Sequence, residues 1–334
     1  MDIRKVLVTG GAGCIGMQVC QQLKERGLKV RLFDLLEQVL RVREFIPVGV
    51  EISYGSVLEK SSVRDAIHGC DAVVHLAGYL GVRRTEQHRL RCLEINVEGT
   101  NHVLDYAAQH RLHKVVFASS SEVYGEPAVN PINEDAPLNA KSVYAVSKLA
   151  GEELCRAYNQ RSPEMAYTIL RYFNTYGPFQ TAQFVIPRFV WNAIHDLPPV
   201  IFGQGNQLRA YCYASDVGRA TVESLLRPEA NGQVINVGDG SRPTSLLELA
   251  DLVIAMAGKK GKLVPEMQPD FRNSDRQSVR EIYRRVCDST RAKKVLDFVP
   301  QVSLEDGIRQ LMEPGRIFEN WETTELPYLQ EELT

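Results

Sequence analysis

Three serines and a glutamate stand together where an apolar run of the chain stops, in the stretch FASSSEVYG over residues 117–125. A serine hydroxyl can hold a substrate oxygen, and the Glu122 carboxylate can transfer protons. Farther along, Tyr144 and Lys148 lie four residues apart in SVYAVSKLAGEEL, a helical pattern that puts both side chains on one face. These residue types predict proton transfer to or from a substrate.

A glycine-rich turn, TGGAGCIG over residues 9–16, follows the first apolar run and opens a helical pattern. Gly10 permits a tight turn, Gly13 lets a pyrophosphate approach the backbone, and Gly16 lets the helix pack close to the strand. The helix N-terminus offers N–H groups to the phosphates. Asp34 follows about 20 residues later, where an acidic side chain accepts hydrogen bonds from the ribose and disfavours a 2′-phosphate. We therefore predict NAD rather than NADP.

The pair Tyr144 and Lys148 fits hydride chemistry beside such a cofactor. A phenol titrates near about 10, which is too high for a base at neutral pH. A lysine ammonium one turn away, together with a positive nicotinamide ring, would favour the phenolate and lower that pKa. Tyr144 could then take the proton of a substrate hydroxyl while hydride leaves the same carbon.

Short apolar runs alternate with helical patterns through the first half of the chain. The runs are KVLVTG (5–10), KVRLFD (29–34), VEISYG (50–55), DAVVHLAG (71–78), KVVFASSS (114–121) and YTILRYFN (167–174). The helical patterns cover residues 14–26, 59–68, 88–110 and 142–160. Nearly continuous apolar runs are typical of strands covered on both faces, and the alternation indicates parallel βαβ units. We predict an α/β fold with a Rossmann-type doubly wound parallel sheet.

The second half of the chain is less regular, because prolines and glycines interrupt it repeatedly after about residue 175. Helical patterns return at 184–196, 216–227 and 245–257, and short strand candidates at 199–202 and 233–237. We expect an NAD-binding domain over residues 1–175, with elements returning to it near 205–240. Residues 176–334 would form mainly a smaller C-terminal substrate lobe and a tail, built over the carboxyl ends of the strands.

Composition excludes several classes of function. The 334 residues carry a formal net charge of −2, so no global basic field recruits nucleic acid or a membrane surface. The seven cysteines are scattered without a C-x-x-C pair, which predicts free thiols and no metal site. No signal peptide or apolar stretch of membrane-spanning length is visible, so we expect a cytoplasmic protein.

On these motifs the chain resembles the extended short-chain dehydrogenase/reductase family, the NAD-dependent nucleotide-sugar epimerases and dehydratases. The resemblance covers roughly residues 3–312. Besides the segments above, it rests on HLAG (75–78), EINVEGT (94–100), RYFNTYGP (171–178), RAYCYASD (209–216) and DSTRAKKVLDFVP (288–300). It implies tightly held NAD and a nucleoside-diphosphate sugar in the smaller lobe. It also implies a homodimer formed through the helices at about 88–110 and 142–160.

The resemblance assigns roles position by position. Ser120 joins Tyr144 and Lys148 at the reacting sugar hydroxyl, and Ser121 and Glu122 complete the predicted catalytic set. The predicted cofactor-binding residues are Gly10, Gly13, Cys14, Ile15, Gly16, Asp34, Ser56, Val57, Leu76, Ala77, Gly78, Asn96, Ser119, Tyr144, Lys148 and Tyr172. The predicted substrate-binding residues are Arg83, Asn174, Arg209 and one or both of Arg284 and Arg285.

Two positions depart from the family pattern. An aspartate usually follows the third strand and contacts adenine, whereas this chain has Ser56 and Val57 there. Cys14 occupies a position in the glycine-rich turn where an aromatic residue is common. We expect the Cys14 side chain to pack rather than to react.

The carboxylate of Glu122 bears on the reaction type. The family shares an oxidation at sugar C4 that gives a 4-keto intermediate. A 4,6-dehydratase then needs a base near C5, a task suited to a carboxylate, and the pair Ser121-Glu122 resembles GDP-mannose-type dehydratases and UDP-glucuronate decarboxylases. The expectation leans to C5/C6 chemistry of the dehydratase type. A 4-epimerase, a UDP-glucuronate decarboxylase, a simple alcohol dehydrogenase, a non-catalytic NAD-binding protein and a merely solvated Glu122 stay open.

Overall fold

The computed structural model describes residues 2–181, 183–268 and 282–318, apart from the side chains of residues 82, 83 and 318. Its strands, in chain order, are β1 (Lys5–Thr9), β2 (Lys29–Asp34), β3 (Glu51–Tyr54), β4 (Ala72–His75), β5 (Lys114–Ser120), β6 (Ala166–Tyr172), β7 (Thr175–Tyr176), β8 (Gln180–Thr181), β9 (Val200–Phe202), β10 (Leu208–Arg209), β11 (Cys212–Tyr213), β12 (Val234–Val237), β13 (Thr244–Ser245), β14 (Glu266–Gln268), β15 (Arg284–Arg285) and β16 (Ile317–Phe318).

The α-helices, in chain order, are α1 (Cys14–Glu25), α2 (Leu36–Val42), α3 (Lys60–Ile67), α4 (Val82–Gln87), α5 (Arg89–Leu93), α6 (Gly99–Gln109), α7 (Val143–Arg161), α8 (Val185–Ile194), α9 (Ala214–Leu226), α10 (Leu246–Met256), α11 (Thr290–Leu296) and α12 (Leu304–Leu311). A π-helical turn, Glu94–Glu98, joins α5 to α6, and a 3₁₀ turn, Ser121–Tyr124, follows β5.

Seven parallel strands form the main sheet, in the order β12-β6-β5-β4-β1-β2-β3. The chain winds outward from β1 in both directions, which is the predicted Rossmann-type doubly wound arrangement. Alternate side chains of each strand face opposite helix layers. In β1, Val6 and Val8 pack in the layer that contains α1 and α9, whereas Leu7 packs in the layer that contains α3, α6 and α7. Burial on both faces explains why the strand sequences are almost continuously apolar.

The second half of the chain contributes to the sheet and also builds a lobe at its carboxyl edge. Strand β12 pairs in parallel with β6, with Val234 opposite Ile169. The lobe has its own apolar core between α8, α10 and α12, including Phe189, Leu249 and Ile308. Short strands link the lobe together, in a three-stranded sheet of order β13-β10-β15 and in the pairs β11-β7, β14-β9 and β16-β8.

One predicted helix is interrupted. The pattern at 88–110 predicts a single helix, but the chain there forms α5, the π-helical turn and α6. The wider turn contains Asn96, which is buried and bonds through its side chain to the loop after β4. The sequence pattern also did not predict the short helices α2, α4, α11 and α12. Among the described residues, no helix combines the length and apolarity needed to cross a membrane.

Candidate active site

The glycine-rich turn lies at the carboxyl end of β1 and is packed tightly against the end of β4. Gly10 has a φ of 66°, and a Cβ placed on it would come within 2.6 Å of the Ala77 backbone nitrogen. A Cβ on Gly16 would collide with the Gly10 carbonyl oxygen. Gly13 caps α1, whose first N–H groups, those of Cys14, Ile15 and Gly16, have no partners within the helix. This geometry fits the phosphates of a dinucleotide.

Asp34 stands at the end of β2, beside this turn. Its Oδ2 accepts a hydrogen bond from the Ala12 N–H at 3.0 Å, and its Oδ1 accepts one from the Leu35 N–H at 2.9 Å. Burial raises the pKa of Asp34 to about 6, although the two backbone donors oppose that shift. Each carboxylate oxygen retains a lone pair, so the side chain can still accept hydrogen bonds from ribose hydroxyls.

His75, a residue that the sequence motifs did not assign, connects the turn to α6. The Ala77 N–H donates to Thr9 Oγ1, which lies 2.7 Å from His75 Nδ1. On the other side, Thr100 Oγ1 donates to the Asn96 carbonyl and lies 3.0 Å from His75 Nε2. The proton of His75 must therefore be on Nε2, with Nδ1 accepting from Thr9. Burial, and then the charge of Lys148, lower the pKa of His75 to about 3, so the ring stays neutral.

Asn96 holds the loop after β4 against α7. Its Oδ1 accepts from the Tyr79 N–H at 2.7 Å, and its Nδ2 donates to the Tyr79 carbonyl at 3.0 Å and to Ser147 Oγ at 2.9 Å. Ser147 Oγ donates in turn to the Tyr144 carbonyl. A Cβ on Gly78 would lie 3.2 Å from Asn96 Oδ1 and 3.3 Å from Lys148 Nζ. The predicted cofactor-lining loop is thus fixed beside the predicted catalytic lysine.

Ser120, Tyr144 and Lys148 come together where β5 ends and α7 begins. The Ser120 hydroxyl interacts with the Tyr144 phenol and lowers its pKa. Lys148 Nζ lies 5.7 Å from the centre of the Tyr144 ring. Burial raises the pKa of Tyr144 above its usual value and the Glu122 charge raises it further, and these effects outweigh that of Ser120. Burial lowers the pKa of Lys148 to about 8.

The pKa of Tyr144 is raised, whereas the spacing of Tyr144 and Lys148 in the sequence predicted that Lys148 would lower it. Lys148 is itself buried, so its ammonium form is disfavoured and supports a phenolate less than an exposed lysine would. The charge of Glu122 raises the pKa of Tyr144, and that of Arg285 lowers it more weakly. The protein side chains alone thus hold Tyr144 in its protonated form.

Glu122 belongs to the same cluster. Ser142 Oγ donates to Glu122 Oε2 at 3.2 Å, and Arg285 Nη1 lies 4.0 Å from Glu122 Oε1. Ser142 also caps α7 by accepting from the Ala145 N–H. The Glu122 side chain is 27% exposed, so its carboxylate can reach a ligand in the cleft. The cap pattern of a serine just before a helix was readable in the sequence, but its link to Glu122 was not.

The predicted substrate residues converge in a pocket under the C-terminal lobe. Arg285 Nη2 donates to Asn174 Oδ1 at 3.0 Å, and β15 places Arg285 directly opposite Arg209 of β10. The pocket is lined by apolar and aromatic, amide and cationic side chains, which are Val185, Leu246 and Tyr211, then Asn174 and Gln207, and finally Arg209 and Arg285. Arg284 is exposed and does not line this pocket, whereas Arg285 does. The side chain of Arg83 lies outside the described residues.

The remaining predicted cofactor residues take several positions. Leu76 and Ala77 line the glycine-rich turn. The buried Val57 side chain packs against Gly99 of α6. Ser56 Oγ accepts a hydrogen bond from the Leu58 N–H. Cys14 Sγ lies close to Gly177, and burial raises the pKa of its thiol to about 12, as expected for a packed and unreactive side chain. All seven cysteines are free.

Two predicted cofactor residues have hydroxyls that bond within the protein. Tyr172 Oη lies 2.8 Å from Thr221 Oγ1 in the core. Ser119 Oγ donates to the buried carboxylate of Glu152 at 2.6 Å. Ser121 is buried at the start of the 3₁₀ turn. The roles of these three residues toward the cofactor or substrate stay predictions.

Comparison with known proteins identifies the family. Residues 6–238 match the model of the NAD dependent epimerase/dehydratase family. The chain therefore belongs to the NAD-dependent epimerase/dehydratase family, as the motifs predicted, and it is an NAD-dependent enzyme.

Its relatives differ in the reaction that they catalyse. The chain is 32% identical to a UDP-N-acetyl-alpha-D-glucosaminuronate decarboxylase of Bacillus cytotoxicus, over 95% of this chain and 99% of the relative. It is 33% identical to a putative UDP-glucose 4-epimerase of Methanocaldococcus jannaschii, over 92% and 97%. It is 30% identical to a dTDP-glucose 4,6-dehydratase of Streptomyces niveus, over 95% and 94%. The family alone therefore does not specify the product.

Solved structures agree on fold and cofactor. A UDP-glucuronic acid 4-epimerase from Bacillus cereus, in complex with UDP-glucuronic acid and NAD, superposes with a TM-score of 0.82 at 29% identity, over 92% of this chain and 98% of that one. NAD is the cofactor of this protein. The turn at Gly10, Gly13 and Gly16 and the carboxylate of Asp34 fit it.

Proposed function

We propose that this protein oxidises C4 of the sugar in a UDP-sugar and then transfers a proton at C5 of the 4-keto sugar, with Glu122 as the proton carrier. The position of Glu122 carries this proposal. The Glu122 N–H donates to Ser120 Oγ at 3.2 Å, and its carboxylate accepts from Ser142, which begins the helix of Tyr144, at 3.2 Å. Inversion at C4 alone needs no acid or base besides Tyr144, whereas proton transfer at C5 needs a further group such as a carboxylate.

The oxidation uses the serine, tyrosine and lysine. Ser120 and Tyr144 hold the C4 hydroxyl, and Tyr144 takes its proton. Lys148 lies one turn farther along α7 and adds positive charge beside Tyr144 when it is protonated. NAD supplies the acceptor for the hydride that leaves C4. The nucleotide diphosphate binds at Asn174 and Arg209 in the pocket, where the positive charge of Arg209 balances part of its own.

The ketone at C4 makes the C5 proton acidic, and two outcomes are then open to Glu122. In dehydration, Glu122 takes the C5 proton and passes it to the C6 hydroxyl, which leaves as water. The hydride taken from C4 would then return to C6, and Glu122 would return a solvent-derived proton to C5. In decarboxylation, the C6 carboxylate leaves as carbon dioxide, the carbanion at C5 takes a proton from Glu122, and the hydride would return to C4. Arg285, 4.0 Å from Glu122, specifically favours the second outcome, because a guanidinium there can neutralise a C6 carboxylate.

The test is to incubate the protein with UDP-, GDP-, dTDP- and CDP-linked hexoses and with UDP-linked hexuronates, and to identify the products by mass and NMR. The proposal expects a UDP-sugar product that has lost water or carbon dioxide. Free sugars and simple alcohols should not react. A product that differs from its substrate only in the configuration of C4 would contradict the proposal.

A further inference from the structure

A fully buried ion pair lies next to the candidate active site but touches none of its reacting groups. Arg171 of β6 donates to both carboxylate oxygens of Glu152, from Nε at 2.8 Å and from Nη2 at 2.7 Å. The two side chains are 3% and 0% exposed. Burial alone would raise the pKa of Glu152, but the hydrogen bonds and charge of Arg171 outweigh it and keep that pKa below its usual range. Glu152 is therefore an anion.

Stability alone does not explain why the chain buries these charges. Removing two charges from water costs about as much as their attraction returns, and apolar replacements of similar size are often neutral or stabilising. A buried pair does, however, fix the groups that bond to it in one arrangement. What it bonds to therefore indicates its use.

The pair bonds to the segment that carries Ser120 and Glu122. Side chains at odd-numbered positions of β5, such as Val115 and Phe117, face the layer of α7, so Ser119 faces it too. Ser119 Oγ donates to Glu152 Oε1 at 2.6 Å. At the other end of the segment, Arg171 Nη1 donates to Tyr124 Oη at 2.9 Å. The ion pair thus holds the residues on both sides of Ser120–Glu122.

The helix that carries the carboxylate is also the helix that carries the base. Glu152 lies one turn after Lys148 and two turns after Tyr144 on α7. The bond from Ser119 to Glu152 therefore sets the end of β5 at a fixed position along α7. Ser120, the next residue, interacts with Tyr144 and lowers its pKa. Two adjacent serines therefore interact with two sites on the same helix, one structural and one reactive.

We propose that Glu152, kept anionic by Arg171, is a positioning residue that acts through Ser119 to hold Ser120 in register with Tyr144. This inference rests on the proposed function, because it takes Ser120 and Tyr144 as the groups that hold the reacting hydroxyl. It gives Ser119 a role different from the cofactor contact expected from the sequence. It also explains why a polar residue, Ser119, follows the apolar part of β5 just before Ser120.

The test uses Ser119→Ala in the full-length protein with its NAD. Glu152 keeps both bonds to Arg171 in this variant, so the fold should persist. We expect the turnover number to fall on the order of 10- to 100-fold, as for small displacements of a reacting pair. The KM for the sugar nucleotide and the NAD content should stay within about twofold of wild type.

The pH profile separates positioning from a purely structural role. Ser120 lowers the pKa of Tyr144, so loss of this interaction should raise that pKa. The rise of activity with pH should then occur at a higher pH than in the wild type. The other titratable or charged groups around Tyr144 are Glu122, Cys92, Arg285 and Lys148, and the substitution changes none of them. Ser119→Thr, which keeps the hydroxyl, should retain most of the wild-type turnover number and the wild-type dependence of activity on pH.

The matched control is Ser224→Ala, which removes an equally buried hydroxyl in α9 that bonds only to the Thr221 carbonyl. It should leave both turnover and pH profile unchanged. If Ser119→Ala raises KM or releases NAD while turnover is kept, Ser119 acts in binding and the proposal is wrong. An unchanged rate and profile would also overturn it. If the wild type processes no sugar nucleotide at all, it is the proposed function that fails instead.

Discussion

At the scale of single residues, Tyr144, the proposed base, is buried among groups that oppose its ionisation. Burial and Glu122 raise the pKa of Tyr144, while Ser120 and Arg285 lower it. Such a phenol gives up its proton more readily when further positive charge enters the site. Oxidised nicotinamide carries such a charge, so we propose that Tyr144 ionises in the state in which the cofactor can accept hydride.

Replacing Tyr144 with Phe removes the proton acceptor and changes little else. We expect turnover to fall by about 10²- to 10⁴-fold, the usual range for a general base. Bound NAD, measured by absorbance after denaturation, should persist. Tyr158→Phe is the control, because it deletes a hydroxyl on the same helix that bonds to Asn101 outside the cluster. Near-full activity of Tyr144→Phe would refute its role as the base.

Asp34 makes NAD binding depend on pH. Its pKa of about 6 lies above the usual value, so the carboxyl is protonated below pH 6 and loses acceptor capacity for the ribose hydroxyls. Because binding favours the ionised form, NAD affinity should rise as pH increases through 6 and fall by up to about tenfold per pH unit below it. Titration calorimetry on protein stripped of NAD measures this dependence.

Asp34→Asn is the matched variant for this effect. It keeps the size of the side chain and cannot titrate, so NAD should bind it more weakly at pH 8 but with almost no change between pH 5 and 7. All other titratable groups are the same in both proteins and cancel in the comparison. The same pH dependence in both proteins would show that Asp34 is not its source.

At the scale of elements, the sequence predicted the parts that follow a simple period. The strands of the main sheet and helix α7 have clear apolar patterns, and their observed bounds differ from the predicted ones by only a few residues. The helix pattern at 88–110 did not reveal the π-helical turn, because the turn depends on Asn96 bonding to Tyr79 and Ser147, which are distant in the sequence. Periodicity describes burial of one face and contains no information on such bonds.

The close packing of α7 on β5 is an element-scale feature that can be tested. Gly151 of α7 lies against the Phe117 ring, and an added Cβ would collide with that ring. Gly151→Ala should push α7 away from β5, lower the free energy of unfolding by about 1–3 kcal/mol, and reduce turnover by separating Tyr144 from Ser120. Thermal unfolding and steady-state kinetics measure the two effects.

The control is Gln160→Ala, at an exposed position of the same helix. It should change the free energy of unfolding by no more than about 0.5 kcal/mol and leave turnover unchanged. If Gly151→Ala is as stable and as active as the wild type, close packing at Gly151 does not set the distance between α7 and β5, and this prediction is wrong.

At the scale of the whole molecule, the candidate site combines residues from both halves of the chain. Motifs placed Asn174 and Arg209 in the substrate site, but the choice between Arg284 and Arg285 depended on how β15 pairs with β10. Likewise, the buried pair of Glu152 and Arg171 joins a helix to a neighbouring strand. A single sequence shows the types of these residues, whereas their partners follow from the tertiary fold.

The homodimer is a prediction for the assembled protein. Leu90 of α5 and Val146 of α7 are 71% and 49% exposed, on the segments that the family resemblance assigns to the dimer interface. We expect light scattering to give twice the chain mass of 37.5 kDa. Leu90→Glu combined with Val146→Glu should give monomers, because charges would be buried without partners. Leu197→Glu, at an exposed apolar position elsewhere, should stay dimeric. A monomeric wild type would contradict the prediction.

The most direct test of the central claim is deuterium incorporation at C5 of the sugar, measured by NMR after turnover of a UDP-sugar in deuterated water. Proton transfer by Glu122 predicts deuterium at C5 in the wild-type product. In Glu122→Gln, formation of that product should slow by about 10²- to 10⁴-fold while C4 is still oxidised. Glu153→Gln, on the exposed side of α7, should behave like wild type. A wild-type product that keeps its original hydrogen at C5 and differs only at C4 would contradict the account.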